Sequence, residues 1–250
     1  MPDPAEQATP GPVAGADGPL VCLTFDDGPS AHRPRTLQIL RELEVPAVFF
    51  DVGMRVRANP DLVRFAAAEG HQVLNHTDTH PALTSLTPVG MREEILGAGR
   101  ALEDAGVEVP FRAVRPPMTA VDDVVHAVIQ VLDYLEVGGT ISALDWHPGT
   151  TAEAIRDSVL AQLAPGGVIV LHDGPADTGA GSATVEALPG IVAGVRESGY
   201  GFGLLDETGA VVPARYVASG QPVPELAAPV PYRPLVVPEP EPPAPWVPMP

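Results

Sequence analysis

Short apolar runs alternate with segments of helical periodicity over most of the chain. Leu20–Phe25 is a short continuous apolar run, which is typical of a strand covered on both faces. Arg35–Leu43 follows with leucines at helical spacing, so we predict an amphipathic helix there. The same alternation predicts strands at 46–52, 71–74, 111–115, 139–144, 168–171 and 200–205, and helices at 60–69, 87–103, 121–135, 152–163 and 183–197.

Alternating strands and helices predict an α/β fold in which parallel strands are joined by right-handed crossovers. A single distorted or incomplete (β/α) barrel accounts for the number of strands better than an open sheet does. In such folds the functional groups gather at the carboxyl ends of the strands. Polar residues directly after a predicted strand are therefore the first candidates for chemistry.

Composition separates both ends of the chain from this region. Twelve of the 31 prolines lie between Pro222 and Pro250, and such a segment favours extended polyproline II and buries no continuous core. Residues 1–18 show no periodic pattern. We therefore predict a disordered N-terminal arm at residues 1–18, one folded domain at residues 19–210 and a Pro-rich extension at residues 211–250. We expect this domain to be a monomer.

The charge balance limits the partners of the protein. The net charge is −18 and the chain contains no lysine, whereas a nucleic-acid surface needs clustered positive charge. We therefore expect no nucleic-acid partner, no anionic lipid or polymer as main partner, and an uncharged substrate. Solubility is a simpler reason for the same acidity.

Cysteine content and hydropathy leave the compartment of the protein undetermined. Cys22 is the only cysteine, so no intramolecular disulfide can form, and its apolar neighbours indicate a buried structural thiol. No apolar run approaches the roughly 20 residues of a membrane span. The N-terminus lacks the basic patch and apolar stretch of a signal peptide. Either the protein stays inside the cell or a leader is missing from this sequence.

A set of metal-ligating residue types follows the first and third predicted strands. Asp26 and Asp27 end the first strand, and His76 and His80 come about 50 residues later. One Asp and two His can hold a divalent ion and leave positions open for water and substrate, while the second Asp would be free to act as a base. Asp-Gly-Pro is also strong turn chemistry, and two loop histidines are only a moderate signal.

Three further polar residues each follow a predicted strand: Arg115, Asp145 and His172. Chance is a poor explanation for catalytically capable side chains at five separate strand ends. A serine hydrolase is disfavoured because the chain has no Gly-x-Ser-x-Gly elbow. A phosphate-binding enzyme is disfavoured because the chain has no Gly-x-x-x-x-Gly-Lys loop.

Taken together, these motifs resemble those of the polysaccharide deacetylase family, the NodB-homology carbohydrate esterases of family 4. The resemblance runs from Val21 to Leu205 and would make residues 19–210 the catalytic domain. Five motifs occur in the family's order: Thr24-Phe25-Asp26-Asp27-Gly28-Pro29, Asn75-His76-Thr77-Asp78-Thr79-His80, Arg115-Pro116-Pro117, Asp145-Trp146 and Leu171-His172-Asp173.

The resemblance implies a hydrolase that removes N-acetyl groups from amino-sugar glycans of the chitooligosaccharide or peptidoglycan type, with a metal-activated water as nucleophile. It implies a divalent metal, Zn²⁺ before Co²⁺, Mn²⁺ or Ni²⁺, and an acetylated carbohydrate as substrate. It also implies secretion or a place in the cell envelope. The implied metal ligands are Asp27, His76 and His80.

The resemblance also implies a role for each remaining motif residue. Asp26 would be the general base, paired with Arg115, and His172 the general acid, supported by Asp145. A backbone N–H would stabilise the oxyanion, and Met118 is the first donor after Arg115 because two prolines intervene. Arg115 could instead form a purely structural ion pair.

Three positions depart from the family pattern. Met118 and Thr119 replace an aromatic residue followed by glycine, Gly149 replaces a second Trp, and Val170 replaces a Leu of the acetyl pocket. These changes affect the substrate walls and leave the catalytic groups in place. Trp146 is either a core residue or part of a pocket wall. Two alternatives remain: an esterase removing O-acetyl groups from xylan-type glycans, and a catalytically silent carbohydrate-binding domain.

Overall fold

The computed structural model describes residues 18–173, 182–225 and 227. Its strands are β1 (Leu20–Gly28), β2 (Val48–Asp51), β3 (Gln72–Asn75), β4 (Ala113–Val114), β5 (Leu135–Glu136), β6 (Ile141–Ser142), β7 (Gly167–His172), β8 (Gly201–Leu205) and β9 (Val211–Pro213). Its α-helices are α1 (Arg33–Glu42), α2 (Gly53–Ala58), α3 (Pro60–Ala68), α4 (Pro88–Asp104), α5 (Asp123–Val131), α6 (Ala152–Ala161) and α7 (Ser182–Glu197), with 3-10 turns at Leu83–Ser85 and Pro117–Thr119.

The strands form a curved and mostly parallel sheet. Its order is β5-β4-β3-β2-β1-β7-β6, with β8 parallel to the start of β1 and β9 antiparallel to β8. Among the described strands, β5 and β6 are the two ends of this order and do not pair with each other. The sheet is therefore a distorted half-barrel, and the predicted incomplete (β/α) barrel is confirmed.

Two apolar layers cover the two faces of the sheet. Side chains of a strand point alternately to opposite faces, and in β1 Val21, Leu23 and Phe25 join the larger cluster with residues of α1, α3, α6 and α7. Cys22 joins a smaller cluster on the opposite face with Phe50. Burial raises the pKa of the Cys22 thiol to about 12, which fits the buried structural thiol expected from the sequence.

The regular elements differ from the predicted ones at three places. The helix predicted for residues 121–135 ends at Val131, because Asp133 has a positive φ of 58° and reverses the chain into β5. The short helix α2 was not predicted. Strand β9 was not predicted either, and it lies beyond residue 210, the predicted end of the folded domain. A two- or three-residue strand is too short to show a period of its own.

The chain after β9 packs on the turn between α3 and β3. The Glu69 carboxylate, which is buried, accepts hydrogen bonds from the Tyr216 hydroxyl and from the Ser219 backbone N–H, the latter at 2.6 Å. Arg41 donates to both oxygens of this carboxylate, at 2.8 and 3.0 Å, and to the Gln221 carbonyl at 2.7 Å. This segment is therefore attached at the amino ends of the strands, opposite the edge that carries the candidate chemistry.

Among the described residues, no helix is long and apolar enough to cross a membrane.

Candidate active site with a metal-binding triad

The carboxyl ends of the strands bring the candidate polar residues together, as predicted. Asp26 and His172 are direct register partners across the parallel pair β1–β7. The backbone N–H of His76 donates to the Asp51 carbonyl at 3.0 Å, and that of Arg115 donates to the Asn75 carbonyl at 3.0 Å. Each residue thus continues a strand ladder by one step, which fixes its position relative to the neighbouring strand.

Asp27, His76 and His80 form a group in which one ligand atom of each lies within 4.8 Å of the others. Asp27 Oδ1 lies 2.8 Å from Nε2 of His80 and 3.3 Å from Nε2 of His76. The backbones of Asp27 and His80 have positive φ values of 69° and 67°. Such a conformation is unfavourable for residues other than glycine and persists where the surroundings hold it, which is common at functional sites.

The donor set of this triad fits a divalent cation. Nδ1 of His76 lies 2.8 Å from the Arg115 carbonyl. A carbonyl only accepts, so Nδ1 carries the proton and Nε2 is left to bind either a proton or a metal ion. Asp27 Oδ1 is buried and, among the described residues, receives no well-aligned hydrogen bond. Burial opposes ionisation of Asp27, but the adjacent imidazoles of His76 and His80 hold the pKa of this carboxyl well below its ordinary value.

Asp26 is held by the guanidinium of Arg115, all three nitrogens of which donate hydrogen bonds. Nη1 of Arg115 donates to Asp26 Oδ1 at 2.6 Å and to the Thr24 hydroxyl at 2.7 Å. The remaining nitrogens donate to the carbonyls of Val137 at 3.3 Å and Gly138 at 3.0 Å. Charge-assisted hydrogen bonds of this kind fix the orientation of a buried carboxylate.

His172 is held in a similar way by a second carboxylate. Asp145 Oδ1 lies 2.8 Å from Nδ1 of His172, and Asp145 Oδ2 accepts from the His172 backbone N–H at 2.7 Å and from the Thr184 hydroxyl at 2.7 Å. Burial lowers the pKa of His172, but the hydrogen bond and charge of Asp145, with smaller contributions from Asp27 and Asp26, raise it to about 10. The imidazolium form therefore predominates at neutral pH.

Known proteins with the same sequence pattern and fold identify this arrangement. A family model described as polysaccharide deacetylase matches residues 14–137. A chitooligosaccharide deacetylase of Sinorhizobium fredii is 36% identical over 198 residues, which cover 76% of this chain and 91% of that protein. The chain belongs to the polysaccharide deacetylase family. As a carbohydrate esterase of family 4, it is a hydrolase that deacetylates carbohydrates.

Two further relatives support the family assignment. A peptidoglycan-N-acetylglucosamine deacetylase of Bacillus cereus is 32% identical over 192 residues, covering 75% of this chain and 87% of that protein. A solved family 4 carbohydrate esterase from Streptomyces lividans, in complex with acetate, is 32% identical and has a TM-score of 0.70 over 78% of this chain and 97% of that chain. The Asp27-His76-His80 triad is consistent with the metal site of family 4 deacetylases.

The proposed wall residues of this deacetylase lie in different surroundings. Trp146 is 53% exposed and its ring lies 5.9 Å from that of His147, so it is not a core residue. Met118 is 59% exposed and has a positive φ of 57° in the turn after Arg115. Val170 is half-buried on β7, and its side chain occupies the space where Gly139 would carry a Cβ.

Sequence reasoning missed the partners that hold the catalytic candidates. Thr24 could have been found, because it lies two residues before Asp26 and therefore on the same face of β1. Its hydroxyl donates to the Ile169 carbonyl at 2.7 Å and so connects Arg115 to β7. No sequence signal points to Thr184, which belongs to α7 and meets Asp145 only in the folded chain.

A buried ion-pair network under the Asp26-Asp27 turn was missed as well. Arg33 is fully buried, donates through Nη2 to Asp51 at 2.5 Å and through Nε to Asp173, and lies 3.8 Å over the Phe49 ring. A Cβ at Gly28 would lie 1.9 Å from Nη2 of Arg33, so only glycine fits above this network. Arg33 therefore joins the ends of β2 and β7, and Gly28 of β1 packs directly against its guanidinium.

We expect Arg33→Met to destabilise the fold by about 3–5 kcal/mol, because it leaves two buried carboxylates without a cation. Urea unfolding followed by circular dichroism measures this loss. The matched control is Arg35→Met, since Arg35 is an exposed residue of the same helix whose contact with Glu42 is 3.6 Å long. Equal stability of the two variants would contradict the assigned importance of the network.

Proposed function

We propose that the protein removes N-acetyl groups from amino-sugar glycans of the chitooligosaccharide or peptidoglycan type. The observation that carries the proposal is the pairing of Asp26 with Arg115 and of His172 with Asp145 on adjacent strands, beside the metal triad. One pair provides a carboxylate and the other a protonated imidazole, which are the base and the acid that amide hydrolysis needs. Two of the relatives named above, the chitooligosaccharide deacetylase and the peptidoglycan-N-acetylglucosamine deacetylase, are named for such substrates.

Asp27, His76 and His80 would hold the metal ion, and we propose Zn²⁺ because a set of one carboxylate and two imidazoles suits this ion. When bound, such an ion polarises the acetyl carbonyl and makes water more acidic. The native metal could also be Co²⁺, Mn²⁺ or Ni²⁺, which use the same ligand types.

The chain's own residues would then perform the proton transfers. Asp26 accepts a proton from the attacking water, and the new carbon–oxygen bond turns the carbonyl oxygen into an oxyanion. The backbone N–H of Met118 would donate to this oxyanion. His172 gives its proton to the amide nitrogen as the carbonyl re-forms and the carbon–nitrogen bond breaks, so that acetic acid, which ionises to acetate, and a free amine leave; proton exchange with solvent then returns Asp26 to the carboxylate and His172 to the imidazolium. Trp146 and Val170 would line the acetyl pocket.

An O-acetyl esterase on the same scaffold is the second candidate. The structurally similar Streptomyces lividans protein is described as a carbohydrate esterase, and an ester passes through the same oxyanion. A silent carbohydrate-binding domain is disfavoured, because base, acid and all three ligand residues are present.

Acetate release from chitooligosaccharides, peptidoglycan fragments and acetylxylan tests the proposal. The full chain would be stripped with a chelator and assayed with and without added Zn²⁺. We expect release only with metal, and faster release from the N-acetylated substrates. Faster release from acetylxylan would favour the esterase, while stoichiometric Zn²⁺ binding without release from any substrate would contradict both enzyme assignments.

A further inference from the structure

The loop between the two candidate metal-binding histidines lies outside regular secondary structure. It follows β3 and runs from His76 to His80. Thr77 and His80 have positive φ values of 66° and 67°. A non-glycine residue in this region is unfavourable by about 1–3 kcal/mol and needs support from its surroundings. The groups that hold this loop therefore decide where the His80 imidazole lies.

Glu94 of α4 receives three hydrogen bonds from this loop. Its Oε2 accepts from the backbone N–H groups of Asp78 at 2.9 Å and Thr79 at 2.8 Å. Its Oε1 accepts from the Thr79 hydroxyl at 2.7 Å. Bonds to an ionised acceptor are about twice as strong as neutral ones. One side chain thus bonds to both residues that directly precede His80, and among the described contacts it is the partner of the Thr79 N–H and hydroxyl.

The backbone of α4 also lies directly against the loop. A Cβ at Gly97, three residues after Glu94, would lie 2.8 Å from Cγ of Asp78 and would collide with it. Residues three apart share a helix face, so Gly97 and Glu94 form one contact surface. The first half of the loop has separate anchors, since Gly53 and Met54 of α2 donate to the carbonyls of Thr77 and Asp78 at 3.0 and 2.9 Å.

We propose that Glu94 is a positioning residue of the metal site, which holds the His80 imidazole beside Asp27 by fixing the backbone of Asp78 and Thr79. This inference rests on the metal site proposed above. Glu94 acts through the loop and has no part in the ligand set. Partners that orient metal ligands affect metal affinity by about 10–100-fold when they are removed, and we expect Glu94 to belong to this range.

The test compares Glu94→Ala and Glu94→Gln with Glu93→Ala in the full chain. Glu93 is the preceding residue of α4, carries the same charge and is exposed, so its variant is a matched control. Zn²⁺ affinity is measured by competition with a chromophoric chelator, and thermal unfolding is followed on the metal-free proteins. Acetate release is then measured at saturating Zn²⁺.

We expect Glu94→Ala to weaken Zn²⁺ binding about 10–100-fold, Glu94→Gln to weaken it less, and Glu93→Ala to bind like the wild type. Saturating Zn²⁺ should restore much of the lost activity. A lower unfolding temperature with unchanged Zn²⁺ affinity would show a merely structural role and overturn the proposal. If Glu94→Ala fails to fold, the affinity of Glu94→Gln decides in the same way.

Acetate release and Zn²⁺ affinity together distinguish a failure of the proposed function from a failure of the role proposed for Glu94. A wild-type protein that binds Zn²⁺ but releases no acetate would contradict the proposed function, and the affinity ratio between the Glu94 variants and the wild type would still decide the role of Glu94. A wild-type protein that binds no Zn²⁺ would overturn both.

Discussion

Asp26→Asn is expected to lower acetate release by about 10²–10⁴-fold, the usual contribution of a general base. Asparagine has nearly the same shape as aspartate, but its amide cannot take up the proton of the attacking water. The substitution leaves Asp27, His76 and His80 unchanged, so Zn²⁺ affinity should stay close to that of the wild type. Steady-state release of acetate and chelator competition measure the two effects separately.

Asp26→Asn also removes the ion-pair partner of Arg115, so the stability of the variant has to be measured. Its Nη1 lies 2.6 Å from Asp26 Oδ1, so the variant removes the negative charge that this guanidinium faces. Thermal unfolding shows whether the folded state survives the change. Asp157→Asn is the matched control, because Asp157 is an exposed aspartate on α6. A folded Asp26→Asn protein that binds Zn²⁺ and retains more than about a tenth of the activity would exclude Asp26 as the base.

His172→Ala is expected to slow the hydrolysis of N-acetyl substrates by about 10²–10⁴-fold and that of O-acetyl substrates much less. An amine is a poor leaving group unless its nitrogen is protonated, whereas an alkoxide leaves with less help. His172 can serve as the acid because its imidazole is protonated at neutral pH. Burial lowers the pKa of His172, but Asp145, with Asp27 and Asp26, raises it to about 10.

The comparison uses matched amide and ester substrates under saturating Zn²⁺. His126→Ala is the control, because His126 is an exposed imidazole on α5. The rate of amide hydrolysis should also depend on pH. It should fall as the pH rises through the pKa of His172, about 10, because the neutral imidazole has no proton to give. Equal losses on amides and esters would count against His172 as the leaving-group acid.

The main polar residues of the site could be predicted from the sequence because the predicted strands are parallel. Their carboxyl ends meet at one edge of the sheet, so Asp26, His76, Arg115 and His172 could be placed together from their positions after predicted strands. The structure places these side chains at one edge, with the Asp26–Arg115 contact at 2.6 Å. Their catalytic roles remain predictions.

The partners of these residues could not be predicted, for a related reason. Arg33 reaches Asp173 across 140 residues of chain, and Glu94 reaches Asp78 across 16. Single hydrogen bonds between distant side chains produce no periodic pattern in a sequence. Short strands are equally hidden, since the helix predicted for residues 121–135 includes Leu135, the first of the two residues of β5.

The sequence by itself determined the alternation of strands and helices and the identity of the groups at the strand ends, and it favoured an incomplete barrel over an open sheet. These follow from local periodicity and from residue chemistry. Only the tertiary structure decided which donors hold each group: Arg115 and Thr24 around Asp26, Thr184 behind Asp145, and Glu94 under the His80 loop. The physical reason is that packing between elements distant along the chain determines these contacts.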